Sequence, residues 1–85
     1  MESHPLRRAS VAAEIRAELA RQSKTYVSLA EATGISVITL RRRLAGQRPF
    51  YAEELGSVSR FLGLTVDEIL TRAAANQIEE LEAAK

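Results

Sequence analysis

Cysteine is absent from this 85-residue sequence, which removes disulfide staples and thiolate metal sites from consideration. A cysteine-free chain fits a reducing, cytoplasmic setting. Tryptophan is absent too, and two tyrosines and two phenylalanines are the whole aromatic complement, so any core has to be aliphatic. No apolar run approaches the ~20 residues that span a bilayer, and the opening MESHPLRRAS holds no apolar stretch of the secretory kind. There is one histidine, His4, close to the terminus and expected to fray. No Ser/His/Asp set, metal-ligand cluster or glycine-rich phosphate loop stands beside it. The expectation is a chain with no catalytic chemistry, cofactor, metal or evident small-molecule ligand, and no membrane contact.

What is present is a 46% hydrophobic fraction and a 27% charged fraction, enough for one small aliphatic core. At this size such a core supplies only about 3–5 kcal/mol, so a partner chain or very regular helix packing would help. The net charge of +1 hides a polarity. Five cations face three acids between Met1 and Thr25, four face one between Tyr26 and Phe50, and three face seven between Tyr51 and Lys85. A basic middle and an acidic end suit a polyanion-binding face with a tail held away from it. The acids after Tyr51 read as a solvated face.

The periodicity predicts five helices and no strand. The first runs from about Leu6 to Gln22, with Pro5 suited to its first turn and Val11, Ile15 and Leu19 in one apolar stripe. Thr25 caps a second helix over Tyr26–Thr33, closed by Gly34, with Leu29 and Ala30 inward. Ser36 caps a third over Val37–Ala45, closed by Gly46. Pro49 blocks helix through Arg48. A fourth helix over Ala52–Leu62 carries Leu55, Val58, Phe61 and Leu62 and ends at Gly63. Thr65 and Glu68 form a capping box for a fifth, which docks through Val66, Ile69 and Leu70 and continues without a breaker. The domain is expected over 1–72, with 73–85 a helical extension.

The stretch from Thr25 to Gly46 carries the functional signal. Two short amphipathic helices meet at Gly34, and the second bears Arg41, Arg42 and Arg43 in succession. On a 100° wheel Leu40 and Leu44 face inward, with Val37 one turn earlier, and Ile38, Thr39 and Arg42 face out. Arg42 lies furthest outward, Arg41 beside it and Arg43 nearest the core edge. No acid lies within four residues of this run, so intrahelical pairing does not account for it. Adjacent cations repel unless an anion compensates, which favours nucleic-acid contact over a plain solvated face.

The chain resembles the lambda-repressor-like, Cro/repressor-type helix-turn-helix proteins. The residues that carry the resemblance are Ala30, Gly34-Ile35-Ser36, Leu40, Gly46, Pro49, and Leu62-Gly63-Leu64 through Ile69-Leu70, together spanning about Ile15 to Leu70. The resemblance implies a compact all-α DNA-binding domain. It also implies DNA contacts from Tyr26, from Ser36, Val37, Ile38 and Thr39, from Arg41 and Arg42, and from Arg48 in the following loop. Two positions depart from the family's habit. Tyr26 stands where glutamine is common. Arg43 stands where an aliphatic is common, so Leu44 takes over as core anchor and Arg43 is freed for a phosphate. Val37 and Ile38 suit thymine methyls, while Arg41 or Arg42 suits guanine O6 and N7.

The implied function is a small transcriptional repressor that occupies double-stranded operator DNA, an economy resembling compact phage Cro-like or immunity repressors. Ala74, Ile78, Leu81 and Lys85 make a short heptad-like seam, which serves either as a homodimer helix or as a helix folded back on the first. Three other classes remain open: an antitoxin whose acidic tail binds a toxin, a protein-interaction module without DNA binding, and an excision-type architectural DNA binder.

Overall fold

The computed structural model describes residues 5–84; His4 and Lys85 lie outside them. The described chain is all-α, with five helices in the order α1 (Arg8–Arg21), α2 (Tyr26–Thr33), α3 (Val37–Leu44), α4 (Ala52–Leu62) and α5 (Val66–Ala83). Among these residues no helix is long and apolar enough to cross a membrane.

Local chemistry sets the boundaries. The Thr25 hydroxyl accepts the Ser28 N–H at 3.0 Å while Ser28 Oγ accepts the Thr25 N–H at 3.2 Å, closing a reciprocal cap on α2. Ser36 Oγ accepts from the Thr39 N–H at 3.2 Å and fixes the start of α3. Thr65 and Glu68 cap α5 in the same reciprocal way. Between α2 and α3, Gly34 takes φ +77°, the left-handed conformation that turns the chain sharply. At the other end of α3, Gly46 also sits at φ +77°, and a Cβ there would lie 3.2 Å from Ala9 Cα. Glycine is therefore needed at position 46 for both its backbone angle and the close approach of α1.

The start of α1 departs from the sequence expectation. Arg7 is extended and the helix begins at Arg8, so Pro5 lies ahead of the first turn. The last turn of α3 also closes one residue early, with Ala45 as its cap.

One core joins all five helices: Ile15 and Leu19, Leu29 and Ala30, Leu40 and Leu44, Val58 and Leu62, and Ile69. Burying each Val, Leu or Ile among them contributes about 1.5–3 kcal/mol. Ile69 alone represents the expected docking trio of α5; Val66 and Leu70 are only partly buried.

The long α5 lies against α1. Ala73 is fully buried there, and so is most of Gln77. Gln77 Oε1 accepts from the Arg7 N–H at 2.9 Å and the Ser10 hydroxyl at 2.8 Å, and its amide donates to the Pro5 carbonyl at 2.9 Å. A second polar knot joins Arg72 and Asn76 of α5 to Glu18 and Glu14 of α1. Glu18 accepts from Arg21, Gln22 and Arg72, and Glu14 accepts from Arg21 and Asn76. The tail thus folds back on α1. The seam of Ala74, Ile78 and Leu81 lies to one side of that contact, with Ile78 56% exposed.

Candidate nucleic-acid interface

The outer face of α3 is held by what lies beneath it. Leu40 and Leu44, four residues apart, are buried to 0% and 1% exposure and anchor the helix in the core. Val37 packs on the same core and is half-buried. Of the two aliphatics expected to meet thymine methyls, only Ile38 stands out, at 69% exposure. Its side chain is left in solvent beside Arg42 on the outer face of the helix. Ser36 is exposed beside it, and its hydroxyl donates to Thr39 Oγ1 at 3.0 Å.

The three consecutive arginines go three ways. Arg42 points to solvent, and among the described residues no acid lies within ion-pair distance of it. Arg41 leans the other way across the helix, its guanidinium 5.7 Å from the centre of the Tyr26 ring. Tyr26 is half-buried at the start of α2 and packs against the core. Arg48 is exposed in the loop after α3.

Arg43 corrects the sequence reading. It is not free for a phosphate: its Nε donates to Glu54 Oε1 at 2.9 Å and its Nη2 to Oε2 at 3.3 Å. Its guanidinium also lies 4.9 Å from the Tyr51 ring centre. The side chains of Arg43 and Glu54 are only 12% and 17% exposed. The partner sits eleven residues away, across the loop, where inspection of the helix alone cannot find it. Glu54 also corrects the reading of the later acids as a uniformly solvated face. It serves twice, because its Oε1 also accepts the Tyr51 N–H at 2.8 Å and so caps α4.

Burial alone would raise the Glu54 carboxyl, but the Arg43 hydrogen bond, the Tyr51 N–H and the Arg43 charge outweigh it and hold the group below the usual carboxylate range. The same hydrogen bond raises the Arg43 guanidinium further above its already high value. Both remain charged across the physiological range, so the tie does not loosen near neutral pH.

The remaining contacts brace the C-terminal ends of α3 and α4 with side chains of α1 and its exit. Arg16 of α1 donates to the Leu44 carbonyl at the end of α3. Gln22 and Lys24, at the exit of α1, donate to the Leu62 and Phe61 carbonyls at the end of α4, both at 2.8 Å. Sequence reasoning missed these links, since each joins residues at least 28 apart. The only available sign was a basic or amide residue at the end of a helix. Among the described residues no group of three or more His, Cys, Asp or Glu is placed to hold a metal ion.

No protein-family model matches the chain, and no curated protein does. Solved structures do match. A crystal structure of the clp gene regulator ClgR from Corynebacterium glutamicum superposes with a TM-score of 0.83 at 32% identity, covering 96% of this chain and 90% of that one. A second crystal structure of ClgR from the same organism gives 0.78 at 33% identity, covering 86% and 95%.

Proposed function

This chain belongs to the helix-turn-helix regulator family represented by the clp gene regulator ClgR, and from that premise we propose that it is a sequence-specific double-stranded-DNA-binding regulator of transcription. The observation that carries the proposal is the outer face of α3. Ile38 and Arg42 are exposed there on a rigidly anchored helix, and Arg42 has no acidic partner among the described residues. The exposed cation suits a bidentate contact to guanine O6 and N7, worth about 1–3 kcal/mol of discrimination. Ile38 suits a thymine methyl. Ser36, Thr39, Arg41, Tyr26 and Arg48 fill the flanks with hydrogen-bonding and phosphate-binding groups.

Its mode of action is repression: α3 enters the major groove of an operator and the bound domain excludes polymerase. The setting is cytoplasmic. Residues 1–72 carry the DNA-binding part, and Ala73 and Gln77 just beyond them pack on α1 as part of the same fold. The extension 73–85 offers Ala74, Ile78 and Leu81 to a second copy, and the exposure of Ile78 supports that role. A two-fold pair would read half-sites about 34–36 Å apart.

Selection of bound duplexes from a random pool tests the reading, with clp gene promoters as the first natural targets because of the ClgR likeness. A single enriched palindromic sequence is the expected result. A pool that enriches nothing would overturn sequence-specific binding. Enrichment of bent or pre-kinked duplexes without a shared sequence would favour the architectural class. Repression is tested by transcription from a template bearing the selected site, where added protein should lower the yield.

A further inference from the structure

Arg16 lies outside the surface described so far, on α1, yet it meets that surface at one edge. A shallow hollow at the meeting point of α1, α2 and α3 is lined by Arg16, Tyr26, Arg41, Leu44 and Ala45. Two guanidinium groups and one phenol line it, and no acid does. Arg16 and Arg41 are both exposed in residue terms, and neither forms an ion pair with an acid among the described residues. Arg16 is tethered on one side by its donation to the Leu44 carbonyl. That tether leaves most of the five N–H donors of the guanidinium unused. Arg41 is braced by the Tyr26 ring at 5.7 Å. Two like charges from different helices facing one hollow, with no anion to balance them, repel one another in the free protein. An anion seated between them relieves that repulsion.

We propose that this hollow is a phosphate seat for the DNA backbone, with Arg16 as a contact supplied by α1. The inference rests on the DNA-binding reading and adds to it a clamp beside the base-reading face. Ile38 and Arg42 lie on the outward face of α3, whereas Arg41 lies on the flank that faces α1 and α2. A strand whose bases meet the outward face therefore runs its backbone past one flank. On the opposite flank Arg43 is already neutralised by Glu54. The two flanks are thus unequal: one carries uncompensated charge and the other does not. Arg16 fixes the register of the domain on the duplex, and base choice stays with the outward face.

The test is the salt dependence of affinity for a selected duplex and for a random-sequence duplex. Arg16→Gln keeps an amide donor for the Leu44 carbonyl and removes the charge. It is expected to weaken binding to both duplexes equally and to reduce the slope of log K against log salt by about one phosphate. Arg16→Lys keeps the charge and is expected to retain the slope. A Gln variant with the wild-type slope would overturn the proposal, as would a Lys variant that loses the slope along with the Gln variant. Wild-type protein that shows no salt-dependent binding to any duplex would overturn the DNA-binding reading itself, which is a distinguishable failure.

Discussion

Arg43 and Glu54 form a two-point ion pair that ties the recognition helix to α4, with Nε–Oε1 at 2.9 Å and Nη2–Oε2 at 3.3 Å. The pair neutralises one of three consecutive cations and links α3 to α4 across the loop between them. Glu54→Gln should loosen that tie and release a cation. Stability should fall by about 1–3 kcal/mol, the scale of a hydrogen bond to a charged group, readable as a lower urea midpoint. Affinity for random DNA should rise, with a steeper salt slope, because the freed Arg43 can reach a phosphate. Discrimination between selected and random DNA should therefore narrow. A stability loss with unchanged random-DNA affinity would mean that Arg43 stays docked on Tyr51 without its carboxylate.

Glycine and serine at left-handed positions give a paired backbone prediction. Ser23 has φ +55° just after α1, where its N–H and that of Lys24 close back onto the Ala20 and Leu19 carbonyls. Ser23→Gly should stabilise the fold by about 1 kcal/mol by removing the strain of a side chain in that region. Gly34→Ala should cost a similar amount, since nothing lies within 4 Å of the added Cβ. Gly46→Ala should cost more, because its Cβ also meets the Ala9 backbone at 3.2 Å. Thermal melts of the three variants give the ranking. Equal losses at positions 34 and 46 would show that α1 yields freely.

Acid should unfold the protein through Glu18 and Glu54. The Gln22 hydrogen bond lowers the Glu18 carboxyl most; burial opposes it, and the Arg21 hydrogen bond and the Arg21 and Arg72 charges lower it further. Both carboxylates hold their protons less tightly folded than unfolded. As pH falls below the ordinary glutamate value of about 4.3, the unfolded chain takes up protons first and stability drops. Their contribution is fully present above that pH. Denaturant midpoints should stay level from pH 7 to about 5 and decline below. Glu18→Gln should flatten the decline.

Much of the helix-turn-helix was legible because its signals are local. Thr25, Ser36 and Thr65 announce helix starts within three residues, and Gly34 and Gly63 announce ends, so α2 and the end of α4 fall where the caps predict. The wheel also placed Arg43 nearest the core edge. What it could not supply was Glu54, because a charge partner across a loop depends on how two helices pack. The polar seam between α1 and α5 was hidden for the same reason. Glu14 and Glu18 are buried at 3% and 7% exposure, yet their partners Asn76 and Arg72 lie 62 and 54 residues away. Gln77 sat in a stretch of helix formers with nothing to mark it as the clamp on residues 5–10.

The tail separates two roles by residue. Gln77 is buried and bonded three ways, so Gln77→Ala should destabilise the fold by about 1–3 kcal/mol through the donors and acceptor it orphans. Ile78 is 56% exposed, so Ile78→Glu should leave stability nearly unchanged and weaken self-association. Sedimentation equilibrium with and without a selected duplex reads the second effect. An unchanged mass in both states would rule out a dimer through this seam.

Replacing Arg42 separates base reading from backbone contact. On the proposed reading Arg42 is the outward base-contacting cation of α3, in contrast to Arg41 on the flank and Arg43 held by Glu54. The measurement is the ratio of affinities for selected and random duplexes, at one fixed salt concentration, for wild type and Arg42→Ala. Selected-site affinity should fall by about 1–3 kcal/mol while random-site affinity falls far less, so the ratio collapses. Equal losses on both duplexes would contradict that reading and reduce Arg42 to a phosphate contact.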